Sequence, residues 1–249
     1  MAVTIVKNKD QLVKESCNGG ILERKTLGFP KEKGPLTRYS NIFYWSHLTS
    51  NYGCIIPEQA HIGFEIIHYV IKGSCEIFNK EQDKYVRITT GDIGLIKAGK
   101  GICHSEKLHP RTEILQIWLE PILGLNRKNE PELTHQSVNT LATNEFEGGN
   151  ERILGSENSP LNLDSKDVTI KLYKYSAGYH NITCPTNFVL SCYILDGFIE
   201  IDSVTLGKND FFKIEEVKEI RIASLINSQL FMTLSPCIPE YQPHNSLLK

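Results

Sequence analysis

The chain has 249 residues, 40% of them hydrophobic and 22% charged, with a net charge of −2 and a pI near 6.5. That leaves room for one large globular domain or two small ones and excludes the overall basic field of a nucleic-acid-binding protein. No apolar run approaches the roughly 20 residues of a membrane-spanning helix.

The N-terminal MAVTIVKNKD is charged by Lys7 and lacks the apolar core of a signal peptide. The seven cysteines are widely spaced and form no C-x-x-C pair, so they read as reduced thiols and the expected location is cytoplasmic. Lys9–Glu15, with Asp10 near its start, is the best helical candidate. After it the pattern is β. Short stretches rich in Val, Ile, Tyr and Phe alternate with Gly, Asn, Asp and Pro: Ile66–Ile71, Cys75–Phe78, Tyr85–Ile88, Ile93–Ile96, Ile114–Leu119, Val168–Tyr175, Phe188–Leu195, Phe198–Ile201 and Phe211–Ile214. The expected fold class is all-β.

An ordered repeat runs through the chain. Tyr69-Val-Ile-Lys-Gly73, then Glu76-Ile77, then Gly91-Asp92 is answered by Tyr193-Ile-Leu-Asp-Gly197, then Glu200-Ile201, then Asp210 after Gly207. The two tyrosines are 124 residues apart, close to half the chain. A duplicated unit is expected: an N-terminal barrel over residues 1–125, a polar, Pro-punctuated linker over 126–145, and a C-terminal barrel over 146–249.

The chemistry concentrates in two stretches, Gln59-Ala-His61-Ile-Gly-Phe-Glu65 and Gly101-Ile-Cys-His104-Ser-Glu106. Each holds metal-capable side chains at i and i+2, which share one face of a strand about 7 Å apart. Side by side, two such strands would aim Gln59, His61, His104 and Glu106 at one point. Two imidazoles and a carboxylate make the set favoured by non-haem Fe(II), with positions open for substrate or oxygen. Gln59 is the anomaly, a weak neutral donor. By strand parity Glu65 sides with His61, as a partner for a ligand, whereas His68 and Cys103 should face away. His47, with Tyr44 and Trp45, is placed at the pocket mouth. His180 has no metal-capable neighbour at i±2, which argues against a second metal site. No P-loop, G-x-S-x-G or dinucleotide fingerprint is present.

The order and spacing of Gln59–Glu65, Tyr69–Gly73, Gly91-Asp92, Ala98–Glu106 and Leu115–Leu119 resemble the pirin family of the cupin superfamily. The resemblance implies a bicupin, two packed jelly-roll-like barrels with metal only in the N-terminal one. It implies an iron site of three histidines and a glutamate, onto which His61, His104 and Glu106 map. Gln59 falls where the family has its first histidine, so a site only partly loaded with a divalent ion, Fe(II) first among candidates, is expected. The implied activity is that of a quercetin 2,3-dioxygenase on a flavonol-like polyphenol, with Glu106 as base. The implied alternative is a metal- or redox-responsive regulator acting through a protein partner, without direct nucleic-acid or membrane binding.

Overall fold

The strand Glu65–Lys72 shows how the sequence sets the architecture. Ile66 and Val70 point into one apolar core, while Ile67 and Tyr69 are buried on the opposite face. A strand covered on both sides reads as a nearly continuous apolar run. The computed structural model describes residues 2–29, 31–216 and 218–241. Two compact units divide the described residues, one holding residues 12–140 with 164–166 and 240–241, the other residues 2–11, 141–163 and 167–239.

In the first barrel, a seven-stranded sheet runs in the order Glu132–Ser137, Asp92–Lys97, Glu65–Lys72, Thr112–Leu119, Ile42–Ser50, Ile21–Leu27, Leu12–Ser16. A four-stranded sheet runs Cys54–His61, Ile102–Leu108, Ser74–Asn79, Lys84–Thr89. Tyr44, Ile66, Ile114 and Trp118 from the larger sheet meet Cys75, Ile77, Ile102 and Leu108 from the smaller one in a single core. The second barrel repeats this order strand for strand: Ala2–Val6, Phe211–Glu215, Phe188–Asp196, Ser228–Pro236, Thr169–Tyr175, Gly149–Gly155, Asn144–Phe146 in one sheet, and Gly178–Thr183, Glu219–Ser224, Phe198–Ile201, Val204–Gly207 in the other. This is the bicupin architecture expected from the repeat.

The repeat extends to backbone detail. Gly73 and Gly197 both sit at positive φ, +82° and +88°. Past each glycine a hydroxyl clasps the turn: Thr112 Oγ1 accepts from the Ser74 N–H at 3.2 Å, and Ser228 Oγ from the Phe198 N–H at 3.2 Å. A β-bulge also recurs, between Glu113 and Ile114 opposite Lys72 and Val70, and again opposite Asp196 and Ile194. Tyr69 and Tyr193 are therefore equivalent.

Two boundaries and one element differ from the sequence expectation. Ala2–Val6 pairs with Phe211–Glu215, so the start of the chain belongs to the second barrel. It fills there the edge position that Glu132–Ser137 fills in the first. That segment, expected within the linker, pairs with Asp92–Lys97 over its full length. Its alternation is short and polar, and only pairing to an existing edge reveals it as a strand. Finally, Lys9–Glu15 is not a helix. Asn8–Asp10 is one 3₁₀ turn, and Leu12–Ser16 is an edge strand, whose few charged residues suit an exposed edge as well as a helix face.

Candidate metal and substrate site

Within the first barrel, Cys54–His61 lies beside Ile102–Leu108, with Gln59 opposite His104 and Ile56 opposite Glu106 across a bulge. The rings of His61 and His104 are 5.0 Å apart, and His61 meets Trp118 edge to face at 4.7 Å. His104 Nε2 lies 3.2 Å from Glu106 Oε1. The expected trio of His61, His104 and Glu106 is thus brought together on the interior face of the four-stranded sheet. Gln59 is exposed and lines the cavity that also opens on Glu106.

The residue that sequence parity placed elsewhere is His68. It is fully buried, and its Nε2 lies 2.9 Å from Glu106 Oε1. It sits between Ile66 and Val70 on one strand, and both of those point into the core. Parity counted from His61 fails because Ile62–Phe64 is not strand, and the two flanking strands lie in different sheets. The same break corrects Glu65. Its carboxylate turns away from the histidines and accepts hydrogen bonds from the Asp164 N–H at 2.7 Å, the Ser165 N–H at 2.9 Å and the Ser165 hydroxyl. His47 also faces away from the cavity, its Nε2 3.6 Å from Glu113. Cys103 points outward as expected but is only half-buried, with Sγ 3.7 Å from Glu58. His180 approaches the Ser176 carbonyl at 2.8 Å.

Gln116 completes the cluster from the facing strand. The Trp118 indole N–H donates to Gln116 Oε1 at 3.2 Å, which fixes the amide with Nε2 toward His68, 2.9 Å from its Nε2 and 3.2 Å from Glu106 Oε1. Proton placement is then frustrated. If His68 Nε2 carries a proton for Glu106, an N–H faces the Gln116 amide donor. If it does not, its lone pair faces the carboxylate at 2.9 Å. His61 Nε2, Glu106 Oε2 and the Nδ1 atoms of His68 and His104 are buried without a hydrogen-bond partner among the described residues. Burial pushes the Glu106 carboxyl up, but the charges and hydrogen bonds of His68 and His104 outweigh it and hold the group well below the ordinary range. Burial, with His104 next, lowers the His61 imidazole to about 4, so it is a neutral donor at physiological pH.

Three imidazoles and one carboxylate, with unpaired nitrogen and oxygen atoms and a lone-pair conflict, fit a divalent transition ion in donor type. As they stand, no three such side chains among the described residues are spaced to hold an ion. His68 and His104 close directly on the carboxylate, and an ion would enter where those contacts now close.

A cavity of about 430 Å³ opens onto Glu106, Gln116 and Gln59. Its aromatic wall is Phe29 stacked on Tyr44 at 4.5 Å, with Trp118 edge-on to Phe29 at 5.3 Å. Lys25, buried, is held by Glu32 at 2.7 Å and Glu23 at 3.2 Å, and the Tyr44 hydroxyl donates to Glu23. Burial raises the Glu23 carboxyl against the opposing charge of Lys25. Glu23 and Lys25 lie in Ile21–Leu27, with Phe29 and Glu32 just after it; remote in sequence from both histidine motifs, they are revealed by the sheet order, whereas Tyr44 lines the cavity as its place in the sequence suggested.

Glu65 carries a pH prediction. Burial is the largest influence and lifts its carboxyl to about 7, against the hydrogen bonds of Ser165 and Asp164. Between about pH 4.5, where an unfolded Glu titrates, and pH 7 the native state holds a proton that the unfolded chain releases. Stability of the first barrel is therefore expected to fall as pH rises through that window and to level off above it. Urea titrations of the metal-free protein at a series of pH values should show this slope, and Glu65→Gln should flatten it. An unchanged slope would place the titration elsewhere.

The pirin family profile matches residues 39–119. Pirin-1 of Arabidopsis thaliana is 24% identical over 149 residues, which cover 57% of this chain and 50% of that protein, so the chain spans half the length of this curated relative. Among solved structures, bacterial pirin YhhW of Escherichia coli in complex with nickel(II) superposes with a TM-score of 0.79 at 18% identity, covering 94% of this chain and 99% of that one. Quercetin 2,3-dioxygenase of Acinetobacter baumannii superposes with a TM-score of 0.75 at 15% identity, covering 94% and 79%. No described helix is long and apolar enough to cross a membrane. Residues 39–119, which carry all four residues of the histidine and glutamate cluster, are a pirin domain of the cupin class, set in a chain with the bicupin fold.

Proposed function

We propose that this chain is a metal-binding pirin-type cupin whose first barrel oxygenates a flat hydroxylated aromatic of the flavonol kind. The observation that carries the reading is the contact of His68, Glu106 and Gln116, which no placement of the imidazole proton satisfies while Glu106 is ionised and which a cation would relieve. His61, His68, His104 and Glu106 would hold the ion, with Fe(II) the leading candidate. The bound ion supplies Lewis-acid activation of a substrate hydroxyl and a site for dioxygen chemistry. To admit it, His68 and His104 would have to turn off the Glu106 carboxylate.

The protein side of the chemistry follows from the cavity. Phe29, Tyr44 and Trp118 offer a flat apolar wall for an aromatic ring. Glu106 Oε2, the carboxylate oxygen without a partner, would accept the substrate hydroxyl proton. Gln116, oriented by Trp118, steadies His68 and Glu106. Gln59 contributes to the cavity wall.

Oxygen uptake by Fe(II)-loaded protein on quercetin tests the proposal. Turnover is expected in the wild type, with a loss of about 10–100-fold in Gln116→Leu, the range that removal of a ligand's supporting partner produces. Loaded protein that consumes no oxygen with any polyphenol would overturn the oxygenase reading and leave a metal-responsive regulatory protein.

A further inference from the structure

The second barrel keeps a cavity but reverses its chemistry. His68 and Cys192 each stand five residues before their matched glycines, Gly73 and Gly197. Across the sheet His68 pairs with Gln116, and Cys192 with Met232. On the smaller sheets Leu108 pairs with Cys75, and Ser224 with Ile199, each two residues after its glycine. Counting back along each strand sets Glu106 against Ile222 and His104 against Ile220. The cluster of His68, His104, Glu106 and Gln116 thus becomes Cys192, Ile220, Ile222 and Met232, all buried in one apolar core.

Met232 of this set lines a cavity of about 500 Å³, within the range of small-molecule sites. The rings of Tyr173 and Tyr175 lie within 10° of parallel at 5.6 Å, and Phe146 packs on them at 6.1 and 5.8 Å. Met232, Leu190, Leu234, Ile182 and Pro185 supply the rest of the apolar surface. One polar feature dominates the wall. Lys171 Nζ lies 3.0 and 3.2 Å from the two Glu151 oxygens and 3.5 Å from the Tyr173 hydroxyl. Glu151 also accepts from the Tyr173 hydroxyl and from Asn144, so the pair already holds one ring hydroxyl, and both members stay partly exposed to the cavity.

We propose that this cavity is a second binding site, which takes an uncharged flat aromatic molecule carrying a ring hydroxyl. The ring lies against Tyr173 and Tyr175, and the hydroxyl donates to Glu151 while accepting from Lys171. The pair is net neutral. An anionic ligand would meet Glu151 and a cationic one Lys171, whereas a neutral hydroxyl uses both members without displacing either charge. The site does not depend on metal or activity in the first barrel.

Met232 provides a direct reporter, because the chain holds only two methionines, Met1 and Met232. Full-length protein labelled with methyl-¹³C methionine is titrated with 2-naphthol, and the Met232 signal is assigned by Met232→Leu. The expected result is a saturable ring-current shift of the Met232 methyl, unchanged in His68→Ala. Glu151→Gln should weaken 2-naphthol about tenfold, the scale of one hydrogen bond to a charged group. In wild type, 2-methoxynaphthalene, which cannot donate, should bind similarly more weakly than 2-naphthol. A Met232 methyl that does not move, or a shift lost in His68→Ala, would overturn the site. Equal affinity for 2-naphthol and 2-methoxynaphthalene would overturn the assignment of the hydroxyl to Glu151.

Discussion

Replacing His68 with alanine is expected to lower Ni(II) affinity by about 100-fold or more, whereas Gln59→Ala should change it by less than about threefold. Loss of even an outer partner of a metal ligand costs about 10–100-fold, and His68 is assigned here as a ligand itself. Its Nε2 lies 2.9 Å from Glu106 Oε1 in the buried interior, while Gln59 is exposed on the cavity wall. Anaerobic calorimetric titration of the metal-free wild type and both variants would measure the difference. Equal losses in the two variants would show that Gln59 shares in ligation, and a larger loss in Gln59→Ala would reverse the assignment.

The second large effect concerns the fold. Gly73→Ala is expected to destabilise the first barrel by about 3–5 kcal/mol, combining the cost of a non-glycine residue at positive φ with that of overpacking. An added Cβ would lie 2.5 Å from Thr112 Oγ1 and 2.8 Å from Thr112 Cα, and the latter is backbone that cannot step aside. Gly19 is the control. Its φ is +80°, but nothing lies within 4 Å of an added Cβ, so Gly19→Ala should cost only about 1 kcal/mol. Both tryptophans, Trp45 and Trp118, lie in the first barrel, so tryptophan fluorescence during urea unfolding reports on that barrel alone. Similar costs for the two variants would mean that the turn at Gly73 adjusts freely, contrary to the close approach seen.

The duplicated barrels were legible in the sequence because they rest on short-range signals. Tyr69 to Gly73 and Tyr193 to Gly197 carry alternation and turn glycines, and both reappear as matched strands, bulges and hydroxyl clasps. What was hidden depends on which strands become neighbours. Ala2–Val6 is an apolar strand whose partner lies some 200 residues away, and no local pattern names that partner. Glu132–Ser137 is too polar to stand out until its edge position is known.

The candidate site divides the same way. His61, His104 and Glu106 share a sheet, so i and i+2 parity within each strand was enough to bring them together. His68 and Glu65 were misassigned for one common reason. Parity was carried across Ile62–Phe64, where the chain leaves one sheet and enters the other. The signal that could have found His68 was its own strand, where Ile66 and Val70 mark the inward face. Gln116 falls within the matched stretch Leu115–Leu119, but nothing there marked its role, because it steadies His68, a residue distant in sequence.

The central claim is that His68 completes a metal site with His61, His104 and Glu106. Anomalous diffraction from crystals grown with Ni(II) addresses it most directly. One anomalous peak is expected in the first barrel, about 2.1 Å from His68 Nε2, as in a typical metal–imidazole bond, with His61, His104 and Glu106 around it and Gln59 outside. A peak coordinated by Gln59 with His68 turned away, or no peak in the first barrel at saturating Ni(II), would contradict it.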